Sequence, residues 1–205
     1  MRIHLPLAIV ATLGLAACSH MGSAPMAAFS QASLPAAVQV PAGHKVALET
    51  VGKGEITYEC RAKKDMPGDF EWAFVGPDAK LHDRKGATVG RYWGPPATWE
   101  SSDGSKVTAT QVAVAPAGTG NIPLQLVKAN PATGMGAMQG VAYIQRVATQ
   151  GGVAPAMPCA MQGVAYIQRV ATQGGVAPAM PCAAGNAGQK QIVKYQADYI
   201  FWRAA

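Results

Sequence analysis

The chain has 205 residues, of which 49% are hydrophobic and 14% charged, with a formal net charge of +6 at pH 7. The apolar fraction is enough to build a core, and the length suits one domain with a signal and a linker. The Lys and Arg residues are scattered rather than gathered into a stripe, which argues against a nucleic-acid partner.

Residues 1–17 read as an export signal. Arg2 and His4 open it, and the apolar run that follows is too short to span a bilayer as a permanent helix. It ends in Leu15-Ala16-Ala17-Cys18, which resembles the lipobox of bacterial lipoproteins. That resemblance implies cleavage before Cys18 and a diacylglycerol on its thiol. One acyl chain anchors only marginally, so stable attachment needs the further chains of mature lipoproteins. Ser19 after the cysteine implies the inner leaflet of the outer membrane, facing the periplasm. Residues 18–37 are rich in Ser, Ala, Met and Pro without hydrophobic period, and are expected to form a lipidated flexible linker.

From residue 38 onward the pattern is that of strands. KVALETVG and EITYECRA alternate on either side of Gly52-Lys53-Gly54 and read as a β-hairpin. FEWAFV places Phe70, Trp72 and Phe74 on one face, expected in the core, with Gly76-Pro77-Asp78 ending the run. Asp83 to Gly86 and Ser102 to Ser105 are turns. The proline pair in GRYWGPPATWES marks a rigid crossing. KVTATQVAVA, IPLQLVKA, VAYIQRVA and IVKYQADYIFWR complete the strands. No segment carries a helical stripe. The expected fold is all-β, a single sandwich or barrel-like domain of short antiparallel strands over residues 38–205.

Residues 137–159, AMQGVAYIQRVATQGGVAPAMPC, are followed letter for letter by residues 160–182. Two identical copies do not make a repeat array, which needs about three units. Because 23 is odd, continuing one strand through both would swap its faces. One copy is therefore expected to fill the strand's place and the other to bulge out. The short link from the preceding strand favours Val141 to Ala148. Cys18 being reserved for lipid, Cys60 is expected to form a disulfide with Cys159 or Cys182, leaving the other thiol free.

YEC at Tyr58 to Cys60, FEWAF, PDAKLHD, TWESSDGS, IPLQL, YIQR with TQGGVAP and the final YQADYIFW together resemble the bacterial and fungal family called domain of unknown function 3455. The likeness runs from about Val38 to Trp202 apart from the extra copy. It implies a secreted or exported β-rich domain and no particular activity.

Candidate chemistry is sparse. Glu100 and Asp103 flank a turn and are the candidates for a paired acid and base, as in sugar hydrolysis. Asp-Gly at a turn has a sufficient structural reason, because Asp accepts a local backbone hydrogen bond and Gly supplies positive φ. His20, His44 and His82 lack metal-ligand spacing, so no metal is expected. Gly134-Met135-Gly136 is followed by Gly140, one position too late for a dinucleotide fingerprint, and no cofactor is expected. Trp93 and Trp99, with Arg146, are candidates for a ligand groove, since aromatic faces stack on apolar surfaces. The leading expectation is a non-catalytic module that binds a small molecule or envelope polymer or maintains the envelope. The alternative is a hydrolase-like exported enzyme using Glu100 and Asp103.

Overall fold

The computed structural model describes residues 28–154 and 181–205. The expected signal, Cys18, His20 and Cys159 lie outside the described residues. Eight strands are present among the described residues: β1 (His44–Ala62), β2 (Phe70–His82), β3 (Thr88–Trp93), β4 (Thr98–Ser101), β5 (Lys106–Ala115), β6 (Leu124–Ala129), β7 (Val141–Gly151) and β8 (Lys190–Ala204). Each pairs antiparallel with its sequence neighbours, and β8 closes on β1. The only other elements among the described residues are 3₁₀ turns at Ala36–Val38 and Ala184–Asn186. The all-β expectation holds, and the closed ring selects the barrel-like form over the sandwich.

Eight strands leave an interior just wide enough for side chains to fill. One row of paired residues shows how. Val107, Trp99, Tyr92, Ala79, Gly54, Tyr195 and Gly151 face one another around the ring. Large and small residues share the row, so the rings of Tyr92 and Tyr195 find room beside Ala79 and Gly54. Trp99 stacks on Tyr92 with ring centroids 4.6 Å apart and meets Tyr199 edge-on at 5.8 Å. Tyr195 and Tyr199 hydroxyls hydrogen-bond at 3.2 Å, and the Tyr58 hydroxyl donates to the Gly152 carbonyl at 2.8 Å.

The hairpin expected at Gly52-Lys53-Gly54 does not form. β1 runs straight through it, 19 residues long, paired with β2 on one side and β8 on the other. The glycines serve close packing: a Cβ on Gly52 would lie 2.5 Å from the Tyr199 ring, and one on Gly54 would lie 2.1 Å from the Asp78 carbonyl oxygen. β2 likewise continues through Gly76-Pro77, with a register shift opposite Thr57 and Tyr58 absorbing the irregularity. Of the FEWAFV aromatics, Trp72 is buried, Phe70 is partly buried and Phe74 is exposed. The proline pair lies in the tight connection between β3 and β4, with cis peptides at Gly94-Pro95 and Pro95-Pro96.

A second apolar cluster lies outside the ring. Val38, Val40, Leu126, Val147, Ile200 and Trp202 are buried there, with Phe29 and Leu34 packed against them. Phe29 meets Trp202 edge-to-face at 6.2 Å. Gln145 ties this layer to the sheet, donating to the Val38 carbonyl at 2.6 Å and to Gln31 Oε1 at 3.0 Å, and accepting from Trp202 Nε1 at 2.8 Å. The expected linker therefore enters the domain earlier than residue 38. Its apolar residues Phe29 and Leu34 cover the outward face of β6, β7 and β8.

β7 is built from the first copy of the repeat, as the short link from β6 implies. The disulfide joins Cys60 to Cys182, from the second copy, with Cα atoms 5.3 Å apart. The strand and the bridging cysteine thus come from different copies.

Candidate functional site

The residues beside the interior row form a matching row on the outside, because side chains alternate faces along each strand. Lys106, Glu100, Arg91, Lys80, Lys53, Gln196 and Gln150 oppose one another in turn. Glu100 is held by Lys106 and Arg91, each at 3.0 Å. Arg91 also lies 4.0 Å from the centre of the Trp93 ring. Beyond Arg91 the row continues with Lys80 and Lys53, exposed and directly opposite each other. Arg91 is neutralised by Glu100, but Lys80 and Lys53, directly opposite on β2 and β1, repel each other, a cost that strand pairing alone gives no reason to bear. The next outer row carries Trp93, Asp78, Glu55 and Lys194. An open depression of about 720 Å³ crosses β2, β1, β8 and β7 at this level, lined among others by Lys53, Glu55, Asp78, Lys80, Lys194 and Gln196.

The structure separates the residues expected to form a ligand groove. Trp99 is buried in the aromatic core, 2% exposed. Trp93, its neighbour across the proline turn, stands on the outer face with Arg91. Arg146 donates from Nε to the Pro123 carbonyl at 3.1 Å. Its charge acts on the interior tyrosines: burial raises the hydroxyl pKa of Tyr58, Tyr92, Tyr195 and Tyr199, and Arg146 opposes the rise in each. Register sets Arg146 directly opposite Tyr199 of β8, and Glu100 is paired with Arg91 and Lys106 instead. A groove between Trp93 and Trp99 does not exist, because the two indoles occupy opposite faces of the sheet.

Glu100 and Asp103 are brought close in sequence but are each tied to other partners. The Lys106 ammonium, then Arg91, hold Glu100 below the usual carboxylate range. Asp103 accepts from the Ser105 hydroxyl at 2.6 Å, from the Ser105 amide at 2.9 Å and from the Ala137 amide at 2.7 Å. These bonds, the Ser105 hydroxyl first, lower its pKa to about 2. Neither carboxyl holds a proton near neutral pH, so neither suits the acid role in sugar hydrolysis. Asp103 instead pins the β4–β5 turn to the approach to β7. Among the described residues, no group of three or more His, Cys, Asp or Glu side chains is placed to hold a metal ion.

Lys53, Lys80 and Lys194 were not foreseeable as a group. Alternation marks Lys80 as outward-facing, but only strand register sets it beside Lys53, and the apparent turn at Gly52-Lys53-Gly54 hid that residue's place in a strand.

Fold and site define an all-β ring, stapled by the Cys60–Cys182 disulfide, with a charged depression on its outer face. The chain belongs to the family described as protein of unknown function (DUF3455), whose model matches residues 41–163 and 160–203. The two matched pieces overlap at the start of the second copy of the repeat, where an additional copy interrupts the family pattern. No curated protein and no solved structure matches the chain.

Proposed function

We propose that the protein is an exported, lipid-anchored envelope module that binds a polar envelope polymer without catalysing a reaction on it. The observation that carries the binding reading is the pair of directly opposed lysines, Lys80 and Lys53, that line the depression. Like charges set directly opposite are destabilising, and a bound anionic group would relieve that repulsion. The adjoining carboxylates Glu55 and Asp78 and the Trp93 ring suit a ligand that is both charged and hydroxyl-rich. The Cys60–Cys182 bridge supports export, since disulfides persist in oxidising compartments. The Leu15-Ala16-Ala17-Cys18 sequence supports lipidation at Cys18 and attachment to the inner leaflet of the outer membrane. The locked states of Glu100 and Asp103 weigh against the hydrolase reading.

The test is sedimentation of the purified protein with isolated envelope polymers at low and high salt. Binding that falls with salt and is lost in a Lys53→Glu/Lys80→Glu variant supports the reading. Binding that ignores both changes, or no binding to any polymer, refutes it. Mass analysis of the mature N-terminus checks the anchor: Cys18 should carry acyl mass.

A further inference from the structure

The tandem copies are identical, so every contact made by β7 is available twice in this chain. Ile144, Gln145 and Arg146 recur as Ile167, Gln168 and Arg169, and Cys182 recurs as Cys159. Nothing inside the 23-residue unit can decide which strand enters the ring or which cysteine reaches Cys60. The decision must come from residues outside the unit, where the two copies differ.

Upstream, the first copy is preceded by Gly134-Met135-Gly136 and the second by Met157-Pro158-Cys159. Gly136 has φ +149°, and a Cβ there would lie 2.3 Å from Asp103 Oδ2. Gly134 has φ +74° and faces the Gly104 carbonyl at 3.2 Å from the same ideal position. The chain must pass close to Asp103 because that carboxylate accepts the Ala137 amide, and Ser105 Oγ accepts the Met138 amide at 3.1 Å. A residue with a side chain at the place of Gly136 must take up positive φ and push the Asp103 carboxylate off its bonds to Ser105 and Ala137, and the second copy offers Cys159 there.

Downstream, Cys182 is followed by Ala183-Ala184-Gly185-Asn186, and Cys159 by Ala160-Met161-Gln162-Gly163. The Asn186 side chain holds both flanks of Cys182: its amide donates to the Pro181 carbonyl, and its Oδ1 accepts the Ala183 amide at 2.6 Å. The same Oδ1 lies 3.5 Å from Cys60 Sγ. The corresponding position after Cys159 is Gly163, which has no side chain to do this.

We propose that these flanks act as a two-ended selector: Gly134 and Gly136 admit only the first copy to the β7 position, and Asn186 admits only the second copy's cysteine to Cys60. The surplus sequence is thereby confined between β7 and the bridge. The competing arrangement, with the second copy as β7, is disfavoured by one glycine-dependent approach and not by any feature of the strand itself.

The test uses the full chain with Ile144→Ala and Ile167→Ala, read by urea unfolding, since Ile144 is 1% exposed in the ring. Ile144→Ala should lower the midpoint or prevent folding, and Ile167→Ala should leave it unchanged. Equal effects, no effect from either, or the reverse order would overturn the selector. Tryptic mapping without reduction gives a second readout, because residues 147–169 carry Cys159 and residues 170–190 carry Cys182. Cys60 should be found joined to 170–190, and a majority joined to 147–169 refutes the downstream half. Asn186→Ala should raise the 147–169 fraction, and Gly136→Ala should narrow the gap between the two isoleucine variants. An unchanged fraction or an unchanged gap removes the residue concerned from the selector.

Discussion

Gln145 carries more of the structure than its polarity suggests. It is fully buried between β7 and the covering segment, and its amide satisfies Val38, Gln31 and Trp202 together. Gln145→Leu leaves the Trp202 indole N–H and the Val38 carbonyl buried without partners, a loss of roughly 1–3 kcal/mol for each group so stranded. Chemical denaturation of that variant checks the expectation, and an unchanged midpoint contradicts it. Asp103 gives a pH signature. Its folded pKa, about 2, lies below the ordinary value of 3.8, so its contribution is present above pH 3.8 and is lost as pH falls towards 2. Asp103→Asn should flatten the dependence of the unfolding midpoint on pH between those limits. Gly54 and Gly52 differ in what a methyl would meet. At Gly54 the two nearest neighbours are backbone atoms of β2, and at Gly52 they belong to the ring of Tyr199. Gly54→Ala should therefore destabilise more than Gly52→Ala, the latter by roughly 1–3 kcal/mol as for other overpacked cores.

Strand β1 is the element on which the ring closes. At 19 residues it is the longest strand among the described residues, and it pairs with both β2 and β8 along most of its length. Its far end is fixed by the Cys60–Cys182 bridge, and the Cys60 amide and carbonyl bond to Gln189 and Gly188 in the approach to β8. The bridge thus reinforces the seam where first and last strands meet. Cys60→Ser together with Cys182→Ser should lower stability by roughly 2–4 kcal/mol, measured against the wild type under non-reducing conditions. A loss under these conditions that reduction of the wild type does not reproduce would point to packing of the serines instead. The segment over β6, β7 and β8 is a second closing device. It puts Phe29, Leu34 and Val38 over a sheet face that would otherwise expose Ile200 and Trp202.

For the molecule as a whole, the repeat is an insertion into an otherwise closed design. Any 23-residue window removed from residues 137–182 leaves one and the same chain, because the copies are identical. The shortened chain keeps Gly136 before its single strand and Asn186 after its single cysteine. It should fold to the same ring and gain about 1 kcal/mol from the shorter β7–β8 connection. Thermal unfolding of the two chains makes the comparison, and failure of the shorter chain to fold would show that both copies are needed. The outer rows of charge belong to this scale too, since they exist only when β3, β2, β1 and β8 stand side by side.

Alternating hydrophobicity, abundant Gly and Pro, and the absence of helical stripes determined the fold class from the sequence, because a period of two is a local property of each strand. Cysteine count and context likewise narrowed the bridge to Cys60 with one of two partners. The sequence could not show that Gly52 and Gly54 lie inside a strand. Glycine marks a turn and a close approach with the same letter, and only Tyr199 and the β2 backbone, far along the chain, distinguish them. Nor could it divide Trp93 from Trp99, or gather Lys53 with Lys80, since facing and register are set by pairing between strands. The choice between identical copies is the limiting case: where the strand's own sequence is the same, the flanks decide through their contacts in the fold, Gly134 and Gly136 at the β4–β5 turn with Asp103 and Asn186 around Cys182, because only there do the two copies differ.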